Sequence, residues 1–311
     1  IAMQLLGNFY EYYLNNENKK INIVVATSGD TGAAAIDAIK GKKNINIFVL
    51  HPNNRVSTVQ RKLMTTGKEK NVFNIAINGN FDDCQNLVKE MFADKNFSKE
   101  IKMSGVNSIN WARIIAQSVY YFYSYFLIEE NNNPVNFSVP TGNFGDVYAG
   151  YLTKKMGLPI NKFVVATNQN DILHRAMSKG RYDVEKVSET ISPSMDIQIA
   201  SNFERLIYDL NNGNDSKTIS AMNDIKKKGK YLIDKESLDK INIDFLSSQM
   251  NEDETLKTIK TVYEKFNIVL DPHTAIGYGA FDKVNLKGNN VVLATAHPCK
   301  FPDAIKKSIN I

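Results

Sequence analysis

The feature that most constrains this chain is an alternation. From residue 21 onward, short runs rich in β-branched residues are each followed by a stretch with helical spacing. INIVVAT leads into GDTGAAAIDAI, INIFVLH into VSTVQRKLMTT, and VFNIAIN into FDDCQNLVKEMF. VNFSVPT then precedes GDVYAGYLTKKMG, and KFVVATN precedes DILHRAMSKG. A helix between two strands brings the second strand back in the same direction, so this order predicts an α/β fold with open parallel-type sheets and helices on both faces. The pattern breaks at 211–265, where Asn, Asp and Lys dominate and SKTISAMNDIKKKG and EDETLKTIKTVYEKF read as surface helices. It resumes with NVVLATA (290–296) and a last helix, PDAIKKSI.

At 311 residues the chain can bury one large core or two moderate ones, and two domains are expected. There is no apolar run of eighteen residues, and the first twenty residues lack the basic start and small-residue cleavage site of a signal peptide. A cytoplasmic protein without a membrane partner is the expectation. The net charge is +5, but the lysines are spread out, and the one dense cluster, KKKGK at 226–230, reads as solvated surface. Nucleic acid is therefore not an expected partner, whereas a basic balance suits a phosphorylated, acidic metabolite. The only cysteines, Cys84 and Cys299, have no metal-ligand spacing, so no metal site is expected. The opening stretch IAMQLLGNFYEYYL has helical period, with Ile1, Leu5, Phe9, Tyr12 and Tyr13 on related faces. Nothing before Ile1 can cap that helix, which leads to the expectation of a piece of something longer.

Three loops carry chemistry. SGDTG (28–32) ends a strand and opens a helix, so unpaired amides and the positive helix end converge, with hydroxyls from Thr27, Ser28 and Thr31 beside them. The plain structural alternative is a capped turn with Asp30 or Thr31 as the cap. PTGNFGD (140–146) repeats the arrangement; Gly142 and Gly145 permit close backbone approach and positive φ around an anion. Neither loop has the GxxxxGK[ST] or GxGxxG pattern of nucleotide-binding turns. VNSINWARIIAQ (106–117), read as a helix, places Asn107 and Ser108 in its first turn and lets the long arm of Arg113 fold back to the same end. Neutral donors with a forked guanidinium suit a phosphate dianion. Asn107 alone would be an ordinary helix cap, and Arg113 alone a surface residue.

The remaining candidates are weaker. His51, His174, His273 and His297 are scattered, and each by itself reads as a packed or hydrogen-bonded histidine. DPHTA (271–275) reads as a helix start with Pro272 in the first turn. Thr295 and His297 lie where a strand ends, the edge at which open parallel sheets bind ligands. YYFYSYF (120–126) reads as core or subunit interface.

Taken together, ATSGDTGAAAI, NGNFDDCQNLV, VNSINWARIIAQ, PTGNFGDVYAGYLTKKMGLPI, ATNQNDILHR, SPSMDIQIASNFERL, DPHTAIGYGA and ATAHPCKFPDAI resemble, in order, the signature segments of the threonine synthase family. The likeness is to its yeast and enteric-bacterial branch, whose members are pyridoxal-phosphate (PLP) enzymes of fold type II, the tryptophan synthase β-like architecture. The resemblance implies a carbon–oxygen lyase that converts O-phospho-L-homoserine and water to L-threonine and phosphate, as a monomer or homodimer. It implies a large domain from 1–21 and 106–311, and a smaller inserted one from 22–105 that closes over the substrate. It implies that Gly142, Asn143, Phe144 and Gly145 hold the cofactor phosphate, with Asp146 beside them. Thr295 would serve the pyridine nitrogen and Asp30 the ring hydroxyl. Ser28 would serve the substrate carboxylate, and Thr31, Asn107, Ser108 and Arg113 the substrate phosphate. The family's Schiff-base lysine would fall two positions before Ile1, so no catalytic residue is assigned within 1–311. The alternatives are a non-catalytic phosphate- or PLP-binding fragment and a sibling threonine or serine dehydratase.

Overall fold

A computed structural model describes residues 1–27, 29–54, 56–79, 81–107, 110–128 and 131–309, with only the backbone of Asp30, Phe81 and Asp82. The chain divides into two compact units, Ile1–Ala116 and Gln117–Ile311.

The first unit opens with helix α1 (Ala2–Asn16) and alternates β1 (Ile21–Ala26), α2 (Asp30–Ile39), β2 (Ile45–Pro52), α3 (Thr58–Thr65) and β3 (Val72–Ile77). It continues through α4 (Phe81–Ala93), α5 (Lys95–Glu100) and the short β4 (Met103–Ser104) to the start of α6 (Trp111–Ile128). The four strands form a parallel sheet in the order β3-β2-β1-β4. Successive side chains of a strand point to opposite faces, and here both faces are covered. Ile23 and Val25 of β1 and Ile47 and Val49 of β2 pack with Met3, Leu6, Ala35, Ile36 and Ile39 of α1 and α2. Val24, Ala26 and Leu50 pack on the other side with Cys84 and Val88 of α4.

The expected division assigned residues 1–21 and everything from 106 onward to the larger domain. The contacts group residues 1–21 and 106–116 with the first unit instead. Met3, Leu6 and Leu14 belong to its core, and the Asn110 carboxamide donates to Tyr10 Oη at 2.9 Å, joining α1 to the start of α6.

The second unit begins within α6 and runs β5 (Val135–Pro140), α7 (Gly145–Lys155), β6 (Ile160–Thr167), α8 (Ile172–Lys179) and β7 (Arg181–Asp183). Next come α9 (Phe203–Leu210), α10 (Asp215–Lys228), β8 (Lys230–Leu232), α11 (Lys235–Asp244) and β9 (Phe245–Gln249). It ends with α12 (Glu252–Phe266), α13 (Pro272–Val284), β10 (Asn289–Val292) and α14 (Pro302–Ser308). The main sheet is again parallel, in the order β10-β5-β6-β9, while β7 and β8 form a small antiparallel ribbon. Strand β9 lies in the polar stretch 211–265, between the two segments read as surface helices, and it forms the sheet edge on β6. Among the described residues, no helix is long and apolar enough to cross a membrane.

An aromatic seam fills one face of this sheet. Tyr121 packs against Phe137 and Phe163, Phe163 against Phe245, and Phe245 against Phe144. The stretch 120–126 accordingly splits by face: Tyr121 and Tyr125 are buried, whereas Tyr123 and Phe126 are exposed. Helix α7 approaches so closely that a Cβ on Gly150 would lie 2.4 Å from the Tyr121 ring and 2.7 Å from Phe163. Helix propensity favours alanine over glycine by about 1 kcal/mol. Overpacking a core costs roughly 1–3 kcal/mol and should win. Gly150→Ala is therefore expected to lower stability in urea unfolding, and an increase would show that the seam yields easily.

Candidate functional site

Each unit presents a strand-to-helix loop at the C-terminal edge of its parallel sheet, where folds of this class bind ligands. The loop in the second unit follows β5. Its Gly142 is forced by close approach, because a Cβ there would stand 2.7 Å from the Ser194 carbonyl oxygen and 3.3 Å from Met195 Cα. Neither Gly142 nor Gly145 has positive φ; that conformation falls on Phe144, at φ 68° and ψ 4°. Left-handed backbone costs a non-glycine residue on the order of 1–3 kcal/mol. Burial of the Phe144 ring against Phe203 and Phe245 offsets it. The ring points into the core, so Phe144 can meet a ligand only through its backbone.

Phe144 is also the N-cap of α7, and its own side chain makes no capping bond. Asn143, exposed at the tip, accepts the Gly145 N–H on Oδ1 at 2.9 Å, while its carbonyl accepts the Asn202 N–H at 3.0 Å. Asp146 lies in the first helical turn, and Tyr121 donates its hydroxyl to the Asp146 carbonyl at 2.8 Å. Burial, reinforced by Asp146, pushes the Tyr121 phenol well above its usual range and keeps it a donor. A helix start whose cap residue contributes no side-chain bond, beside a close-approach glycine and an exposed carboxamide, fits a phosphate group.

The loop after β10 lies nearby in the same unit, since β10 pairs with β5. Thr295 is exposed there, and its N–H donates to Thr274 Oγ1 at 3.1 Å. Thr274 Oγ1 in turn donates to Asp271, the N-cap of α13. The Asp271 carboxylate, 1% exposed, also accepts the His273 N–H at 2.9 Å and pairs with His273 Nδ1 at 3.0 Å. Burial alone would raise its pKa; the His273 ring, the Thr274 hydroxyl and the His273 N–H more than offset that, and the carboxyl titrates below the ordinary aspartate range. Pro272 occupies the first turn of α13, as expected. His297 is the exposed cap of a short 3₁₀ turn and accepts the Cys299 N–H. Sequence reasoning missed the reach of Asp271; the only signal was an acidic residue before Pro272.

In the first unit, the SGDTG loop is occupied differently. Thr27 is buried, and its Oγ1 accepts the N–H of Gly29 at 2.9 Å and of Gly32 at 2.8 Å. Thr27 thus takes up two of the amides expected to meet an anion, and is not a ligand donor. The helix cap is Gly29, neither Asp30 nor Thr31. Gly29 has φ 140°, and a Cβ on it would strike the Gln60 side chain at 2.5 Å. Thr31 is exposed on the first turn of α2. Ser28, Ser108 and the Asp30 side chain lie outside the described residues.

Asn107 and Arg113 were expected on one helix, yet α6 starts only at Trp111. Asn107 precedes it, and Asn110 does the capping, with Oδ1 accepting the Ala112 N–H and Nδ2 donating to the Gly105 carbonyl. Arg113 sits half-buried in the first turn of α6. The Arg113 guanidinium stands close to the start of α1.

A profile of pyridoxal-phosphate dependent enzymes matches residues 2–238, and one of the threonine synthase C-terminal region matches 274–311. The threonine synthase of Pseudomonas aeruginosa is 47% identical over 99% of this chain. The crystal structure of PLP-bound threonine synthase from Brucella melitensis superposes with a TM-score of 0.94 at 48% identity, covering 100% of this chain and 67% of that one. The chain belongs to the threonine synthase family. The yeast threonine synthase structure is similar, with a TM-score of 0.90, 42% identity and coverage of 99% of this chain and 66% of that one. The chain spans 66% of the length of the Pseudomonas threonine synthase.

The contact at Gly142 is with backbone, which cannot rotate away. Gly142→Ala is expected to displace the 192–195 segment and to weaken binding of a phosphate-bearing ligand at least about tenfold, the equivalent of 1.4 kcal/mol, in a fluorescence titration of the full-length protein. Unchanged affinity would mean that this loop does not shape the site.

Proposed function

We propose that the full-length protein is a threonine synthase that uses pyridoxal phosphate to convert O-phospho-L-homoserine and water to L-threonine and phosphate. The observation that carries this reading is the start of α7 behind Gly142, where the left-handed cap residue Phe144 contributes no side-chain bond, in a chain of this family. The amides of 142–145 take the cofactor phosphate, with Asn143 as the side-chain donor and Asp146 beside them. Thr295 would meet the pyridine nitrogen through its hydroxyl, a neutral partner that does not hold that nitrogen protonated as a carboxylate would. Asp30 serves the ring hydroxyl. When bound, the cofactor supplies an electron sink for negative charge developing on the substrate.

In the first unit, Thr31, Asn107, Ser108 and Arg113 bind the substrate phosphate and stabilise it as it leaves, and Ser28 binds the substrate carboxylate. The half-buried position of Arg113 supports this role, because partial burial strengthens a guanidinium–phosphate pair. A lysine two positions before Ile1 would hold the cofactor covalently. Borohydride reduction of the full-length protein followed by peptide mass spectrometry should find the pyridoxyl adduct on that lysine; an adduct at Lys300, or none, would refute the assignment.

Substrate class is tested at Arg113. Removing one partner of a desolvated charge pair costs about 2–5 kcal/mol, so Arg113→Leu should lower kcat/KM for O-phospho-L-homoserine by roughly 30- to several-thousand-fold. Any serine or threonine deamination should persist, since those substrates carry no phosphate. Equal loss of both activities would contradict the phosphate-binding role.

A further inference from the structure

Asp271, His273 and Thr274 hold no place among the groups assigned above to cofactor or substrate, yet they tie together the loops that carry those groups. Asp271 is buried at the first turn of α13, and its two oxygens take hydrogens from the His273 ring and backbone and from the Thr274 hydroxyl. The His273 ring then reaches a second loop: the Ser194 N–H donates to His273 Nε2 at 3.3 Å. That contact makes Nε2 an acceptor and leaves Nδ1 as the protonated nitrogen facing Asp271. Ser194 is the residue whose carbonyl oxygen abuts Gly142, the close-approach glycine of the phosphate loop. Thr274 reaches the third loop. With its own proton committed to Asp271, its oxygen is left as an acceptor, and it holds the Thr295 N–H at 3.1 Å. Helix α13 is itself fixed on the sheet, because Ser138 of β5 donates to the Gly277 carbonyl at 2.6 Å and a Cβ on Gly277 would stand only 3.0 Å from Pro140 and Val292.

We infer that Asp271 is a positioning residue which, through Thr274, fixes the backbone of Thr295 so that its hydroxyl meets the pyridine nitrogen and, through His273 and Ser194, braces the phosphate loop at Gly142. The inference rests on the functional reading above and deepens it: the hydroxyl that meets the pyridine ring is placed by a buried carboxylate two hydrogen bonds away. A purely structural role would affect folding alone. A positioning role alters the environment of the ring nitrogen in protein that is still folded.

The test uses the full-length protein and pyridoxamine 5′-phosphate, which binds without a covalent link. Affinity and the emission spectrum of the bound ligand are measured for wild type, Thr274→Val and Thr274→Ser, with circular dichroism as the check on folding. Thr274→Val is expected to weaken binding at least tenfold and to shift the emission, while Thr274→Ser stays within threefold of wild type with its spectrum retained. Should the valine variant fail to fold, Thr274→Cys, which keeps the volume but is a poor acceptor, carries the same expectation. A folded Thr274→Val or Thr274→Cys protein with wild-type affinity and spectrum overturns the positioning role while leaving the functional reading intact. Failure of wild type to bind pyridoxamine 5′-phosphate overturns that reading, and this inference with it.

Discussion

A buried negative charge anchors the edge of the second sheet. An unpaired carboxylate taken out of water costs several kcal/mol, so Asp271 is tolerable only because the groups that accompany it saturate its oxygens. Those groups come from the first turn of α13, and each has a second contact that points outward to a different loop. The arrangement turns one desolvation cost into a geometric constraint on three segments, 141–145, 192–196 and 293–297. Loops are ordinarily the mobile part of an α/β fold. Here they are cross-braced, which is what a site holding a ring in a fixed orientation requires.

The two glycine-containing loops show how similar local sequences reach different ends. In SGDTG the hydroxyl of Thr27 turns inward and takes up the amides of Gly29 and Gly32. The loop is satisfied from within, and what it leaves facing outward is side chains such as Thr31. In PTGNFGD no hydroxyl does this; the Gly145 amide is taken up by the exposed Asn143 carboxamide, and an aromatic residue carries the left-handed conformation. The first loop therefore suits recognition by side chains and the second recognition by backbone. That division matches the substrate and cofactor roles proposed for the two units.

Much of the architecture was legible because β-branched runs alternate with helical spacing, and β1, β2, β3, β5 and β6 fall where those runs lie. Strand β9 was not legible: Leu246, Ser247, Ser248 and Gln249 carry no β-branched side chain, and tertiary pairing with β6 makes the strand. The start of α6 was misplaced because two asparagines stand three positions apart, and only contacts with Tyr10 and Gly105 reveal that Asn110 is the cap. Positive φ was expected of glycine at 142 or 145, since sequence cannot show that a buried aromatic cluster offsets the strain at Phe144. Among the candidate residues, spacing alone identified the loops. It could not say which side chains face inward, as those of Thr27 and Phe144 do. Asp271 was readable as a helix cap, whereas its link to Thr295, twenty-odd residues away, exists only in three dimensions.

The most direct measurement is a crystal structure of the full-length protein with pyridoxal phosphate and an unreactive phosphonate analogue of O-phosphohomoserine. The account predicts one phosphoryl group held by the backbone amides of residues 142–145, with Thr295 Oγ1 at hydrogen-bond distance from the pyridine nitrogen, and the phosphonate held by the Arg113 guanidinium. Cofactor density elsewhere, or a phosphonate that leaves Arg113 untouched, would contradict it.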